Sequence, residues 1–199
     1  MTETTDPGAA PPPSVPDPLE GSRRMSRSTR SAIEWLAVIV GALVVALVVK
    51  TFLIQAFYIP SESMVPTLEV GDRVLVNKLS YRTGDVERGD IVVFARPGGP
   101  GPDGIADLIK RVVALPGETV EGRDGQVFVD GEALDEGYLE PDVTTSSFAP
   151  YTVPDEHVWV MGDNRGASDD SRRFKGVPLD DVVGRAFVVI WPLSEVGLL

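Results

Sequence analysis

The sequence predicts a mainly β protein: a single N-terminal transmembrane helix followed by an extracytoplasmic all-β domain. Three observations predict it. Trp35 to Val49 contains no charged or strongly polar residue. After residue 58, short runs rich in Val, Ile and Leu recur between Gly- and Pro-containing gaps, the mark of strands joined by turns. No stretch past residue 60 carries a helical period. The 199 residues are 43% apolar, enough for one cored domain with tails.

In chain order, residues 1–20 are Pro, Ala, Thr and acid with little to bury, and are read as disordered. With the basic cluster Arg23, Arg24, Arg27 and Arg30 they form a cytoplasmic tail over residues 1–31. The apolar run, taken as 32–54, would span roughly 34 Å as a helix, against a hydrocarbon core of about 30 Å. Lys50 can snorkel at its far end, and Trp35, Phe52, Phe57 and Tyr58 read as interface aromatics. Phe52-Leu53-Ile54-Gln55-Ala56-Phe57-Tyr58 lacks an A-x-A cleavage pattern, so the helix reads as a permanent anchor. The arginines precede it, which puts the N-terminus in the cytoplasm and residues 58–199 outside. Strands are expected at Arg73–Leu79, Ile91–Ala95, Leu108–Leu115, Thr119–Glu121, Gln126–Val129, His157–Met161 and Arg185–Trp191. Asp124-Gly125 marks a tight hairpin, and Arg96–Gly104 a flexible loop.

Composition narrows the chemistry. Net charge is −12, and five acidic and five basic residues cancel through Gln55, so the whole excess lies in the domain beyond. Such acidity argues against nucleic acid as a partner. With no cysteine and one histidine, disulfides, thiolate sites and His-rich metal sites are excluded; no metal and no cofactor is expected.

Ser61 and Ser63 lie between Pro60 and Pro66, in a segment that cannot form a regular helix or central strand. It is either a plain turn or a rigid loop holding a serine for nucleophilic attack. A serine needs a base. His157, the lone histidine, stands between an acidic turn and a strand and reads equally as solvated. Lys50 belongs to the membrane, Lys175 to a polar loop and Lys78 to a strand end. Lys110 alternates onto one strand face with Leu108, Val112 and Ala114, so it either snorkels or is desolvated. Desolvation penalises the cation; lowering its pKa from about 10.4 to about 8 costs roughly 3 kcal/mol, and the neutral amine could then take a serine proton. The run Met161–Arg172 is dense in side chains that bond one another and the backbone; Asp170 and Arg172 can pair there, with Ser168 beside them.

Four motifs stand in order: Pro60-Ser61-Glu62-Ser63-Met64-Val65-Pro66-Thr67-Leu68, Gly71-Asp72-Arg73-Val74-Leu75-Val76-Asn77-Lys78, Lys110-Arg111-Val112-Val113-Ala114-Leu115-Pro116-Gly117-Glu118, and Gly162-Asp163-Asn164-Arg165 through Ser171-Arg172. In these the sequence resembles the bacterial type I signal peptidases, serine peptidase family S26, across most of residues 58–191. The resemblance implies an extracytoplasmic signal-peptidase-like β catalytic domain. It implies a membrane-bound endopeptidase that removes signal peptides from exported preproteins after small residues, A-x-A, by a Ser–Lys dyad. Its partners would be those signal peptides and the lipid bilayer. Ser63 would be the nucleophile, Lys110 the general base, and Ser61 an oxyanion-hole hydroxyl beside the Ser63 N–H. Ser168 would orient the Lys110 amine, and Asp170 with Arg172 would brace the last loop. The chain departs from the family at Gly166-Ala167, where Asp-Asn often stands, which removes two possible bracing side chains. The additional β subdomain of the enterobacterial form is expected to be reduced. A repressor-type Ser–Lys peptidase would carry a DNA-binding helix-turn-helix in place of the span, and a silent β module would lack Ser63 or Lys110.

Overall fold

The structure is a computed structural model and describes residues 27–49, 53–102 and 104–199. The expected tail over residues 1–20, Arg23, Arg24, Lys50 and Phe52 lie outside the described residues. Helix α1 spans Arg27–Val48. Its window Ser31–Val48 has a mean hydropathy of 2.4 and is unburied; Trp35 is 67% exposed. The helix starts before the residue 32 predicted from hydropathy; its α-helical part ends at Val48, and Val49 and Leu53 have π-helical backbone. Hydropathy does not distinguish a helix from a strand, and Ile54, which looked like the end of the span, opens a strand.

The remainder forms a β domain. Its strands are β1 (Ile54–Tyr58), β2 (Arg73–Asn77), β3 (Ile91–Ala95), β4 (Asp107–Ala114), β5 (Thr119–Arg123) and β6 (Gln126–Val129). They continue with β7 (Glu132–Ala133), β8 (Phe148–Thr152), β9 (His157–Met161), β10 (Val177–Pro178), β11 (Val182–Trp191) and β12 (Gly197–Leu198). Single helical turns α2 (Ser80–Thr83) and α3 (Ser171–Phe174) interrupt them. One sheet has the order β1-β2-β11-β3-β4-β9-β10, with β12 on β11; a four-stranded sheet has the order β7-β6-β5-β8. Asp124 and Gly125, with φ of 52° and 81°, make the left-handed turn a two-residue hairpin needs.

Every expected strand is present: Ile91–Ala95, Gln126–Val129 and His157–Met161 match at both ends, and the others shift by a few residues. Strands β1, β7, β8, β10 and β12 were not expected. β7, β10 and β12 are too short to show a period, and Pro150 interrupts β8, consistent with a sheet edge. β1 hid behind the apolar run. Its alternation turns Phe57 inward onto the core, which corrects its reading as an interface aromatic, whereas Tyr58 stays 58% exposed.

Three apolar clusters hold the domain. The first joins Ile59, Met64 and Leu68 to Val74, Val76, Ile91, Val93, Ile109, Ala186 and Val189. Met64 and Leu68 are fully buried, so the proline-bounded segment is pinned by its own side chains. Truncating such a residue to Ala costs about 2–5 kcal/mol. The second cluster packs the four-stranded sheet around Trp159, and the third gathers Phe94, Val112 and Val160. A register shift between Val112 and Ala114 sends these two residues to different clusters. The regular alternation that put Ala114 on the face of Lys110 and Val112 is therefore corrected at its last member.

The main sheet leaves one strand half-paired and one face open. β9 pairs only with Arg111–Ala114 of β4, so Asp107–Lys110 are bonded on the β3 side alone among the described residues. Tyr58 and Trp191 share a sheet face opposite Arg73, as do Ala56, Val188 and Leu198 around Leu75. Tyr58, Trp191 and Leu198 are 58%, 50% and 86% exposed there.

Candidate active site

Ser63 and Lys110, 47 residues apart, meet in the interior. The Lys110 Nζ donates to Ser63 Oγ at 2.8 Å and to the Ile109 carbonyl at 2.7 Å. The two residues are only 6% and 2% exposed. Burial is the larger influence on the amine, and the nearby carboxylates of Asp170, Asp169 and Asp163 oppose it; its pKa falls from 10.5 to about 8. Of the two readings the sequence left open for this lysine, the desolvated one is realised. At 2.8 Å a neutral amine can equally accept the serine proton, since the distance suits either direction. Ser61 Oγ lies 3.3 Å from Ser63 Oγ and is exposed at the lip of the site.

Among the described residues the other candidate bases are engaged elsewhere. The His157 ring faces the Asp155 carbonyl at 2.8 Å, the Lys78 Nζ reaches Gln55 Oε1, and Lys175 lies over the Tyr151 ring.

The loop between β9 and α3 closes around the pair. Asn164 donates from its N–H to the Ser63 carbonyl at 3.1 Å and from its side chain to the Glu62 carbonyl at 3.1 Å. A Cβ at Gly162 would collide with the Ser63 carbonyl and with Ser168 Oγ, so only glycine permits this approach. The structure thus brings Ser168 beside Ser63. Its Oγ is buried without a well-formed hydrogen bond, in the neighbourhood of the Asp170 carboxylate, and Lys110 bonds other groups.

Asp170 and Arg172 pair as expected, bidentate at 2.8 Å through both guanidinium contacts. Burial alone would raise the Asp170 pKa; the bonds and charge of Arg172 outweigh it and hold the carboxyl below its usual range. Asp170 also accepts from the Gly162 N–H at 3.1 Å, and Arg172 reaches the Arg165 carbonyl at 2.8 Å. That last bond braces the backbone across Gly166-Ala167, where the bracing side chains are missing.

In the sequence Arg111 and Asp163 stand only as motif members, yet they form the second brace. Arg111 binds Asp163 bidentately at 2.9 and 2.7 Å, and Thr67 donates to the same carboxylate at 2.5 Å. One buried ion pair therefore ties the Ser63 segment, β4 and the 162–172 loop together. Arg165 extends the frame to Glu136 at 2.9 Å and Thr145 at 2.6 Å. The one legible signal was an arginine adjoining Lys110 on a strand whose neighbours are apolar, a charge that must find a partner.

Ser63 and Lys110 open onto a cleft of about 290 Å³, walled by Ile105, Leu108, Ile109 and Ala167 and rimmed by charged side chains. The free side of β4 runs along it. Val112 and Ala106 direct their backbone bonds toward the β3 side, so by alternation Asp107 and Ile109 present theirs to the cleft.

Residues 32–191 match the family model described as signal peptidase, peptidase S26. The chain belongs to the signal peptidase family. It is 42% identical over 183 residues to the probable signal peptidase I-2 of Synechocystis sp., covering 89% of this chain and 84% of that protein. It is 39% identical over 195 residues to the signal peptidase I of Leptolyngbya laminosa, covering 96% and 94%. A crystal structure of a signal peptidase I from Enterococcus faecalis is 34% identical, covers 51% of this chain and 96% of its own, and has a TM-score of 0.42. This member of the family thus carries all four expected motifs on one β domain.

Proposed function

We propose that this signal peptidase removes signal peptides from preproteins as a membrane-anchored serine endopeptidase, with Ser63 and Lys110 as its catalytic dyad. The observation that carries the reading is the buried Lys110 amine, lowered to about 8 and 2.8 Å from Ser63 Oγ. A lysine that must be neutral to work needs that combination of burial and contact.

The substrate lies extended along the free side of β4, where Asp107 and Ile109 offer backbone partners. The narrow, apolar-walled cleft supports a preference for small side chains next to the cut. The neutral Lys110 amine takes the Ser63 proton as Oγ attacks the scissile carbonyl. The oxyanion is held by the Ser63 N–H and the Ser61 hydroxyl, each such donor worth about 3–4 kcal/mol of barrier. The Lys110 ammonium then protonates the departing amine and the C–N bond breaks. A water molecule, deprotonated by the same amine, attacks the acyl-enzyme ester and restores Ser63. Ile109 fixes one amine hydrogen, and the Ser168 hydroxyl, buried nearby without a formed bond, would accept a second once the amine turns toward it. Asp170 and Arg172 hold that loop in place.

We further propose that residues 32–48 span the membrane with the N-terminus cytoplasmic and the β domain outside. The arginines ahead of the span favour that orientation. The exposed Tyr58, Trp191 and Leu198 suit a domain resting at a bilayer surface.

The test is cleavage of a purified preprotein bearing an A-x-A site, in detergent, by wild type, Ser63→Ala and Lys110→Ala. Wild type is expected to cut after the small residue and each variant to lose at least about 1,000-fold in kcat/KM. A Lys110→Ala enzyme with most of its activity would overturn the dyad.

A further inference from the structure

Three aspartates of the 162–172 loop act on the Lys110 amine through their charge: Asp163, Asp169 and Asp170. Each favours the ammonium and would keep the amine from acting as a base. Each also has an arginine. Asp163 is held by Arg111 and Asp170 by Arg172, both at 2.7–2.8 Å with fully buried carboxylates. Asp169 is held by Arg96 at 3.1 Å. Two of these pairs are interior frame. The third lines the cleft itself, with side chains 36% and 18% exposed, and it joins residues 73 apart in sequence. Arg96 follows β3 directly and anchors the β3–β4 connection through its N–H to the Ala106 carbonyl at 2.8 Å. Asp169 belongs to the opposite wall.

We propose that the Arg96–Asp169 ion pair is a positioning device: it clasps the β3–β4 hairpin to the 162–172 loop across the cleft and neutralises the cleft-facing aspartate beside Lys110. This inference rests on the reading of Lys110 as the base. Glu62 and Asp107 rim the same cleft, and Arg173 makes a second, looser contact to Asp169 at 3.4 Å from a 77% exposed side chain. Arg96 is the cation that opposes the aspartates at the amine, so its loss and the loss of Asp169 must act in opposite senses. Without Arg96, the Asp169 carboxylate keeps only the looser Arg173 contact and the ammonium is favoured. Without Asp169, one carboxylate that favours the ammonium is gone while the Arg96 charge stays, and the neutral amine is favoured.

The chain has four lysines, so ¹³C-lysine NMR of the full-length protein in detergent micelles resolves few signals, and Lys110→Met identifies its own by loss. Arg96→Gln is expected to move the Lys110 midpoint up and Asp169→Asn to move it down, each by about half a pH unit, the scale of a partly exposed charge. The double variant is expected to return close to wild type, and Arg173→Gln to shift it less than either. The acidic limb of kcat/KM should follow, so that at neutral pH Arg96→Gln is about threefold slower from the lost neutral fraction. A merely structural clasp would lower both rates without moving the midpoints apart. Midpoints that move in the same sense, or not at all, overturn the inference. Midpoints that move oppositely while the rate limb stays fixed uphold it, and refute Lys110 as the base.

Discussion

At the scale of the residue, Lys110 pays for its chemistry in stability. Its pKa falls from 10.5 to about 8 by burial, so between those values the unfolded chain binds more protons than the folded one. Stability from this group therefore rises with pH through that window, and the cost is fully present below it. At pH 7 the cost is of the order of 3 kcal/mol. Lys110→Met, similar in length and without the charge, is therefore expected to unfold at a higher temperature than wild type at pH 7. The gain should shrink as pH rises from about 8 and vanish above 10.5, in thermal melts of the detergent-solubilised protein. A Lys110→Met protein no more stable than wild type at pH 7 would mean that the amine is not desolvated. The apolar strand face was legible in the sequence, because Leu108 and Val112 flank Lys110 at strand spacing, but whether the amine snorkels or is buried was not. The bond to the Ile109 carbonyl was not, since it depends on the unpaired side of β4, which no local pattern reports.

At the scale of the element, the site is a convergence of one proline-bounded segment, one strand and one loop, and Gly162 is where they touch. Gly162→Ala places a methyl group against the Ser63 carbonyl and Ser168 Oγ. The expected result is a loss of about 100-fold in kcat, the scale of a misplacement near 1 Å, with KM for the preprotein little changed. A steady-state comparison checks it; unchanged kcat would mean that the loop moves freely away from Ser63. The strands that carry the site were readable because β3 and β9 are nearly continuous apolar runs and β4 has apolar residues on both sides of Lys110 and Arg111. β1 was not, because strand and membrane helix draw on the same apolar residues. The brace of Arg111 and Asp163 stayed hidden for a different reason: the partners lie 52 residues apart, and only the fold brings them together.

At the scale of the whole molecule, the sequence contains no cysteine, so a single introduced thiol reports topology without background. Asp155→Cys, on an exposed turn before β9, is expected to react with a membrane-impermeant maleimide in intact cells. Labelling only after lysis would reverse the proposed orientation. The order of anchor and β domain could be read from hydropathy and charge alone, because a bilayer imposes one-dimensional rules on a chain. The strand order β2-β11-β3 could not, since long-range pairing leaves no local mark. Between Asp107 and Lys110 that sheet is one strand short, and each preprotein would complete it for the length of a turnover. On that reading an extended main chain is what is recognised, so many unrelated leaders would serve, while a proline at a position that must donate an N–H would not. The severed signal peptide would keep the bonds made on its side of the cut, so a free signal peptide is expected to compete with preprotein for that edge.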